Sequence, residues 1–261
     1  MPDVTALFRT HSGIVRGADA ITREGNVKLN GAVIPEDIVQ RVVRARGREH
    51  CFADLDPTRT ALVVIDLQNA FMEDPVGHAV VPAARDIVPA VNRLAAAVRQ
   101  AGGGVFWVKM THDEACLGEW SMAFEMLTPE RRVKRIGALT EGTRGHELWP
   151  ELEVRPEDEV VLKYRYSGFL PGTSDLADRL RARGFDTLLI TGTVTNVCCE
   201  SSARDASMLN FRTIMVSDGN AALTRAEHEA SLAAFYNIFG DVMDTDMIVA
   251  ALERGRAAKA A

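Results

Sequence analysis

The sequence predicts an α/β fold: a mostly parallel sheet covered on both faces by helices. Two observations carry this. From position 61 onward, short apolar runs alternate with amphipathic stretches of helical period, the pattern of repeated βα units. Glycines and capping residues punctuate those stretches where helices should end and begin. In such sheets ligands bind outside the carboxyl ends of the strands, at a switch in strand order. The ends of the apolar runs are therefore the places to look for chemistry.

Taken in order, ALVVID (61–66) reads as a buried strand and DIVPAVNRLAAAVRQAGG (86–103) as a helix closed by glycines. GVFWVKM (104–110) and EVVLKYR (159–165) are the second and third strands. SDLADRLRARG (174–184) is a helix with Ser174 as its N-cap and Gly184 just past its end. TLLITGT (187–193) is the fourth strand, NVCCESSARDASMLN (196–210) a helix and RTIMVSD (212–218) the fifth strand. RAEHEASLAAFYNIFG (225–240) and TDMIVAALERG (245–255) close the chain as helices. Residues 1–55 stand outside this rhythm, with one helical patch at 36–46, and are expected to wrap the core or a neighbouring subunit. Residues 56–261 form the α/β domain. The connection 111–158 lacks a strand and carries Trp120, Met122, Phe124 and Met126. A long connection leaving a strand's carboxyl end suits a site lid or a contact between subunits.

The bulk numbers exclude several classes. A chain of 261 residues with 47% hydrophobic and 25% charged residues is ordinary for a globular protein. Its net charge of −6 offers no basic surface for nucleic acid. No apolar stretch reaches the roughly 18 residues of a membrane span, and the N-terminus lacks a secretory layout, so the expectation is a cytoplasmic protein with reduced thiols. Cysteines 51, 116, 198 and 199 are too few and too irregular for a disulfide framework. A bridge between neighbours Cys198 and Cys199 would close a strained ring.

Three reactive residue types stand at the ends of three separate strands. Asp66 ends ALVVID, where an acid is costly to bury unless something stabilises its charge. Lys163 follows valine and leucine and needs a counter-charge, for which Asp66 is the candidate. Cys198 falls in the first turn of the helix after the fourth strand, with Thr195 as cap; there the exposed N–H groups and the helix dipole favour a thiolate. Cys199 lies about 100° further round that helix, so only one of the two thiols faces the same point. Taken singly, each has a bland reading as a cap, a solvated strand end or a small buried hydrophobe.

Together the three pieces resemble the isochorismatase-like cysteine hydrolases: ALVVIDLQNAF with Asp66, VLKYRYSGF with Lys163, and ITGTVTNVCCESSARDA with Cys198. The last is the most specific, because Gly192, Thr195 and Cys198 stand in the family's Gly-x-x-Thr-x-x-Cys spacing. Ser202, Ala203, Asp205 and Ala206 complete it. The resemblance covers roughly 58–252. It implies a Rossmann-like three-layer fold with six strands, an Asp–Lys–Cys triad, and a cis peptide at Val194–Thr195 that aims the N–H groups of Thr195 and Cys198 at an oxyanion. It makes Cys198 the nucleophile and Cys199 a packing residue.

The activity so implied is hydrolysis of an amide or ureide C–N bond in a small molecule, in the branch acting on ureidoacrylate, biuret or carbamoylsarcosine. The expected thiol is acidic, held so by the helix N-terminus and Lys163. No metal or other cofactor is expected, since the Asp-x-His pair of nicotinamidases is missing: His78 stands alone, and His112 and Asp113 are adjacent. The alternatives are vinyl-ether hydrolysis, which Cys198 argues against, and a non-catalytic binding role, against which the complete triad stands. Candidates for contact with substrate are Asn69, Phe71, Trp120 and Tyr166, with Arg165 a possible partner for a carboxylate or for a surface acid. His228 reads as structural. A homodimer or homotetramer is expected from the family.

Overall fold

A computed structural model of the chain describes residues 26–29 and 32–260. In chain order, a hairpin of β1 (Asn26–Leu29) and β2 (Ala32–Pro35) leads into α1 (Glu36–Arg46), then β3 (Thr60–Ile65), α2 (Asn69–Met72), α3 (Val88–Gln100) and β4 (Gly104–Met110). Three helices follow: α4 (Glu114–Glu119), α5 (Ser121–Glu125) and α6 (Pro129–Leu139). The rest is β5 (Glu159–Lys163), α7 (Leu176–Ala182), β6 (Thr187–Thr193), α8 (Glu200–Met208), β7 (Arg212–Ala221), α9 (Arg225–Ile238), β8 (Asp241–Met243) and α10 (Thr245–Ala260).

Strands β3 to β8 form one parallel sheet in the order β5-β4-β3-β6-β7-β8. The order reverses between β3 and β6, which makes their carboxyl ends the switch point where this class of sheet opens a crevice. Both strands are buried along their whole length, as sheets covered on both faces require. Helices α3 and α10 pack together against the sheet as one layer, and α8 and α9 pack together against β7 as the other. No helix among the described residues is long and apolar enough to cross a membrane.

The expected elements are present with shifted ends. β5 stops at Lys163, and β8 supplies a sixth strand too short to stand out in the sequence. β7 runs on to Ala221 because Asn220 and Ala221 pair with Gly192 and Thr193 across a register shift after Ile190. Asn220 bridges that irregularity, its Nδ2 donating to the carbonyls of Ile190 and Val216. The segment leading from α1 is tied to α9 and β8: Arg46 donates to the carbonyls of Tyr236 and Gly240, and His50 lies 2.9 Å from the buried Asp241. Residues 1–25 and 30–31, and with them much of the expected extension, lie outside the described residues.

Candidate active site

β3 delivers Asp66 to the switch point in an unusual conformation. Its φ is +54°, in the left-handed region that costs a non-glycine residue energy. Its N–H donates to the Val108 carbonyl, so the chain stays bound to β4 as it turns. Gly192 on β6 lies beside Ile65 in the register, with φ +119°, and an added Cβ would meet the Ile65 carbonyl oxygen at 2.0 Å. Only glycine allows the two strands this approach directly beneath Asp66.

Lys163, at the end of the edge strand β5, reaches under Met110 to place Nζ 2.9 Å from Asp66 Oδ2, with no exposed surface on either side chain. The ammonium also donates to the Arg165 carbonyl at 3.1 Å. Cys198 and Cys199 follow β6, both buried. Ser202 on α8 accepts from the Gly168 amide at 3.0 Å, fastening the turn after Lys163 to the helix after Cys198. Gln68 does similar work on the other side. Its Oε1 accepts from the Met110 amide, and its Nε2 donates to the carbonyls of Met110 and His146.

Three expectations are corrected here. The turn bearing the cysteines is a wide π-type turn, Thr195–Cys199, ahead of α8, in which the Val194 carbonyl accepts from the amides of Val197 and Cys199. Thr195 is not its cap, because its hydroxyl is engaged with His228 Nδ1 at 2.9 Å. The cis peptide is at Thr193–Val194, one bond before the expected one, where β6 gives way to the turn. The Cys198 thiol is not acidic: burial pushes it up to about 12, Lys163 pulling down and Asp66 pushing up.

The electrostatics follow from counting charges. Burial lifts Asp66 despite Lys163, and the charges of Asp66 and Cys198 hold Lys163 in its ammonium form against its own burial. One ammonium can balance one anion, and burial raises both Asp66 and Cys198, which favours a single negative charge between the two. Asp66 carboxylate with Cys198 thiol, and Asp66 acid with Cys198 thiolate, carry the same net charge. Moving the proton between them costs far less than removing it to water. Cys199 is fully buried with its sulfur 3.9 Å from the Thr191 carbonyl, and burial raises its thiol well above the usual range.

Cys198 opens onto a cavity of about 290 Å³, near the lower end of the range for small-molecule sites. Of the substrate-contact candidates, Phe71 and Tyr166 line it; Asn69 and Trp120 do not. Asn69 is buried with Nδ2 donating to the Arg144 carbonyl. Trp120 backs Tyr166 edge-on, with ring centroids 4.8 Å apart. Arg165 lies over Trp120 and 3.7 Å from Glu119, so it is already engaged with a surface acid. The cavity lining adds residues not singled out in the sequence, among them Arg131 and Arg135 of α6, Asn196 and Glu227. His78 lines it too, held neutral by burial with its pKa down at about 3. Among the described residues no group of three His, Cys, Asp or Glu side chains is placed to hold a metal ion.

A buried cysteine beside an acid and an ammonium, at the carboxyl edge of a parallel six-stranded sheet, defines the class: a Rossmann-like α/β hydrolase. The chain belongs to the isochorismatase family, with residues 60–247 matching the isochorismatase domain. It is 34% identical to the ureidoacrylate amidohydrolase RutB of Variovorax paradoxus, over 87% of this chain and 92% of that one. Identity to the RutB of Pseudomonas savastanoi is 32%, over 83% and 91%. Among solved structures, a cysteine hydrolase from Pseudomonas syringae pv. phaseolicola matches with TM-score 0.69 and 31% identity, over 77% of this chain and 96% of that one. The N-carbamoylsarcosine amidase of Thermoplasma acidophilum matches with TM-score 0.58 and 28% identity, over 72% and 97%.

Proposed function

We propose that this protein hydrolyses a C–N bond of a small ureido or carbamoyl compound through a covalent intermediate on Cys198. The observation that carries the reading is the buried Asp66–Lys163 pair, 2.9 Å apart, beside the one cysteine that opens onto the cavity. The names of the relatives, ureidoacrylate amidohydrolase and N-carbamoylsarcosine amidase, support the bond type.

In this reading Asp66 takes the thiol proton while Lys163 balances whichever of the two is anionic. The Cys198 sulfur adds to the carbonyl carbon, and the N–H groups of Thr195 and Cys198 hold the resulting oxyanion; one such donor is typically worth about 2.7–4 kcal/mol. The C–N bond breaks as Asp66 gives its proton to the leaving nitrogen. Water then adds to the carbonyl carbon of the resulting S-linked thiocarbamate and Asp66 receives its proton; the sulfur leaves, is reprotonated by Asp66, and a carbamic acid departs.

The test is ammonia release from a panel of ureido acids, N-carbamoyl amino acids and primary amides, with wild type, Cys198→Ala and Cys199→Ala in parallel. Release by wild type and Cys199→Ala but not by Cys198→Ala is expected. Release that survives in Cys198→Ala would overturn the assignment of the nucleophile.

A further inference from the structure

The wall facing Cys198 holds a buried cation that lacks a hydrogen-bond partner at one edge. Arg135 lines the cavity and is 8% exposed, and its Nε has no hydrogen-bond partner. Three aromatic rings surround its guanidinium: Phe124 at 5.3 Å, Trp120 at 5.4 Å and Tyr166 at 5.7 Å to the centroids. Rings attract the faces of a planar cation and keep it charged in a dry site, but they do not satisfy its in-plane N–H groups. Nε and the neighbouring Nη form the edge that grips a carboxylate with two parallel hydrogen bonds. Glu227, the acid that lines the same cavity, does not serve: its carboxylate accepts from the Thr224 amide and hydroxyl in the capping box of α9. His78 adds a second unpartnered nitrogen, Nδ1, to the lining.

We infer that Arg135 is the specificity-determining residue of the cavity and binds a carboxylate of the substrate, so that the compounds turned over are ureido or carbamoyl acids rather than their neutral counterparts. The inference about turnover rests on the function proposed above; the binding of a carboxylate does not. Arg165, the other arginine packed on Trp120, already faces Glu119.

The experiment uses the full chain carrying Cys199→Ala and follows iodoacetamide alkylation of Cys198 by mass spectrometry, with butyrate or the isosteric butyramide as protectant. Loss of a buried charge partner predicts half-protection by butyrate at a concentration at least about 30-fold below that of butyramide. Arg135→Gln should abolish the difference, and Arg135→Lys, which keeps the charge without the planar fork, should retain part of it. Equal protection by the two compounds in the parent chain would overturn the inference even if the variants fail to fold. A preference for butyrate that persists in Arg135→Gln would overturn it as well. Protection needs binding and not turnover. A protein that prefers butyrate but releases no ammonia from the panel therefore counts against the proposed activity alone, and ammonia release without a butyrate preference counts against Arg135 alone.

Discussion

At the floor of the cavity a buried carboxylate faces a buried ammonium, whereas the helical wall above holds a buried guanidinium packed among aromatic rings. Lys163 meets Asp66, and the proton of Cys198 has Asp66 to go to. On the wall side, Arg135 Nε and His78 Nδ1 lack hydrogen-bond partners, as do both ring nitrogens of His112, which packs behind the wall on Phe124. The floor comes from strand ends, whose relative positions the sheet order dictates. The wall comes from α6 and the connections around it, which no sheet register constrains. The difference separates two surfaces: a floor whose charges pair with one another, and a wall with hydrogen-bonding capacity left over.

The largest effect should come from breaking the floor. Lys163→Met leaves Asp66 buried without its partner, which should cost about 3–5 kcal/mol of stability in urea titrations. Adding Asp66→Asn should return part of that loss, because the stranded charge is removed. Two losses that simply add would show that the pair is not coupled.

A second test concerns the shared proton. With Cys199→Ala as parent, Cys198 alkylation should be nearly flat between pH 7 and 9.5, because the thiolate fraction is set by exchange with Asp66. An ordinary thiol gains close to tenfold per unit below its pKa of about 8.5. In Asp66→Asn the thiol loses the neighbour that raises it, so alkylation should follow a single titration, while ammonia release falls by about 10²–10⁴. A steadily rising rate in the parent chain would remove the shared-proton description.

The smallest effect belongs to a group packed behind the wall, against Trp120 and Phe124. His112 is fully buried and, through burial and the charge of Arg135, held neutral with a pKa of about 3. Because the folded value lies below the ordinary 6.5, the unfolded chain takes the proton first. Stability is therefore full above pH 6.5 and drains as pH falls toward 3. Between pH 7.5 and 5.5 this group should cost about 1.4 kcal/mol, a loss absent from His112→Gln. Parallel pH profiles for the two proteins would show that His112 does not titrate on unfolding.

The floor was legible because each of its residues interrupts or ends an apolar run where a charge has no other excuse. The resemblance then chose between the two cysteines. What it could not supply was the shape of the turn: residues from 196 keep a helical period whether the first turn is narrow or wide, and only the Thr195–His228 bond shows that the threonine is taken. Burial, equally invisible in sequence, reversed the expected acidity of Cys198. Arg135 was hidden among the charges of PERRVKRIGAL, although a signal existed. Arg135, Ala138 and Leu139 are spaced i, i+3, i+4, which puts the arginine on the apolar face. His228 shares a face with Ser231, Leu232 and Phe235 in the same way. Gln68 gave no periodic signal, since its role depends on a carbonyl far along the chain.

That carbonyl has a consequence of its own. One amide nitrogen of Gln68 holds both Met110, where the chain leaves the sheet, and His146, in the turn that follows the three helices. The two ends of the 111–146 segment are thus buttoned to a single point, like the mouth of a drawstring purse. Between them the segment, Arg135 included, is tied again where Asn69 and Glu73 hold Arg144 and where Arg165 meets Glu119. A transplant of that segment from a relative would exchange the substrate filter and leave the reactive thiol where it is.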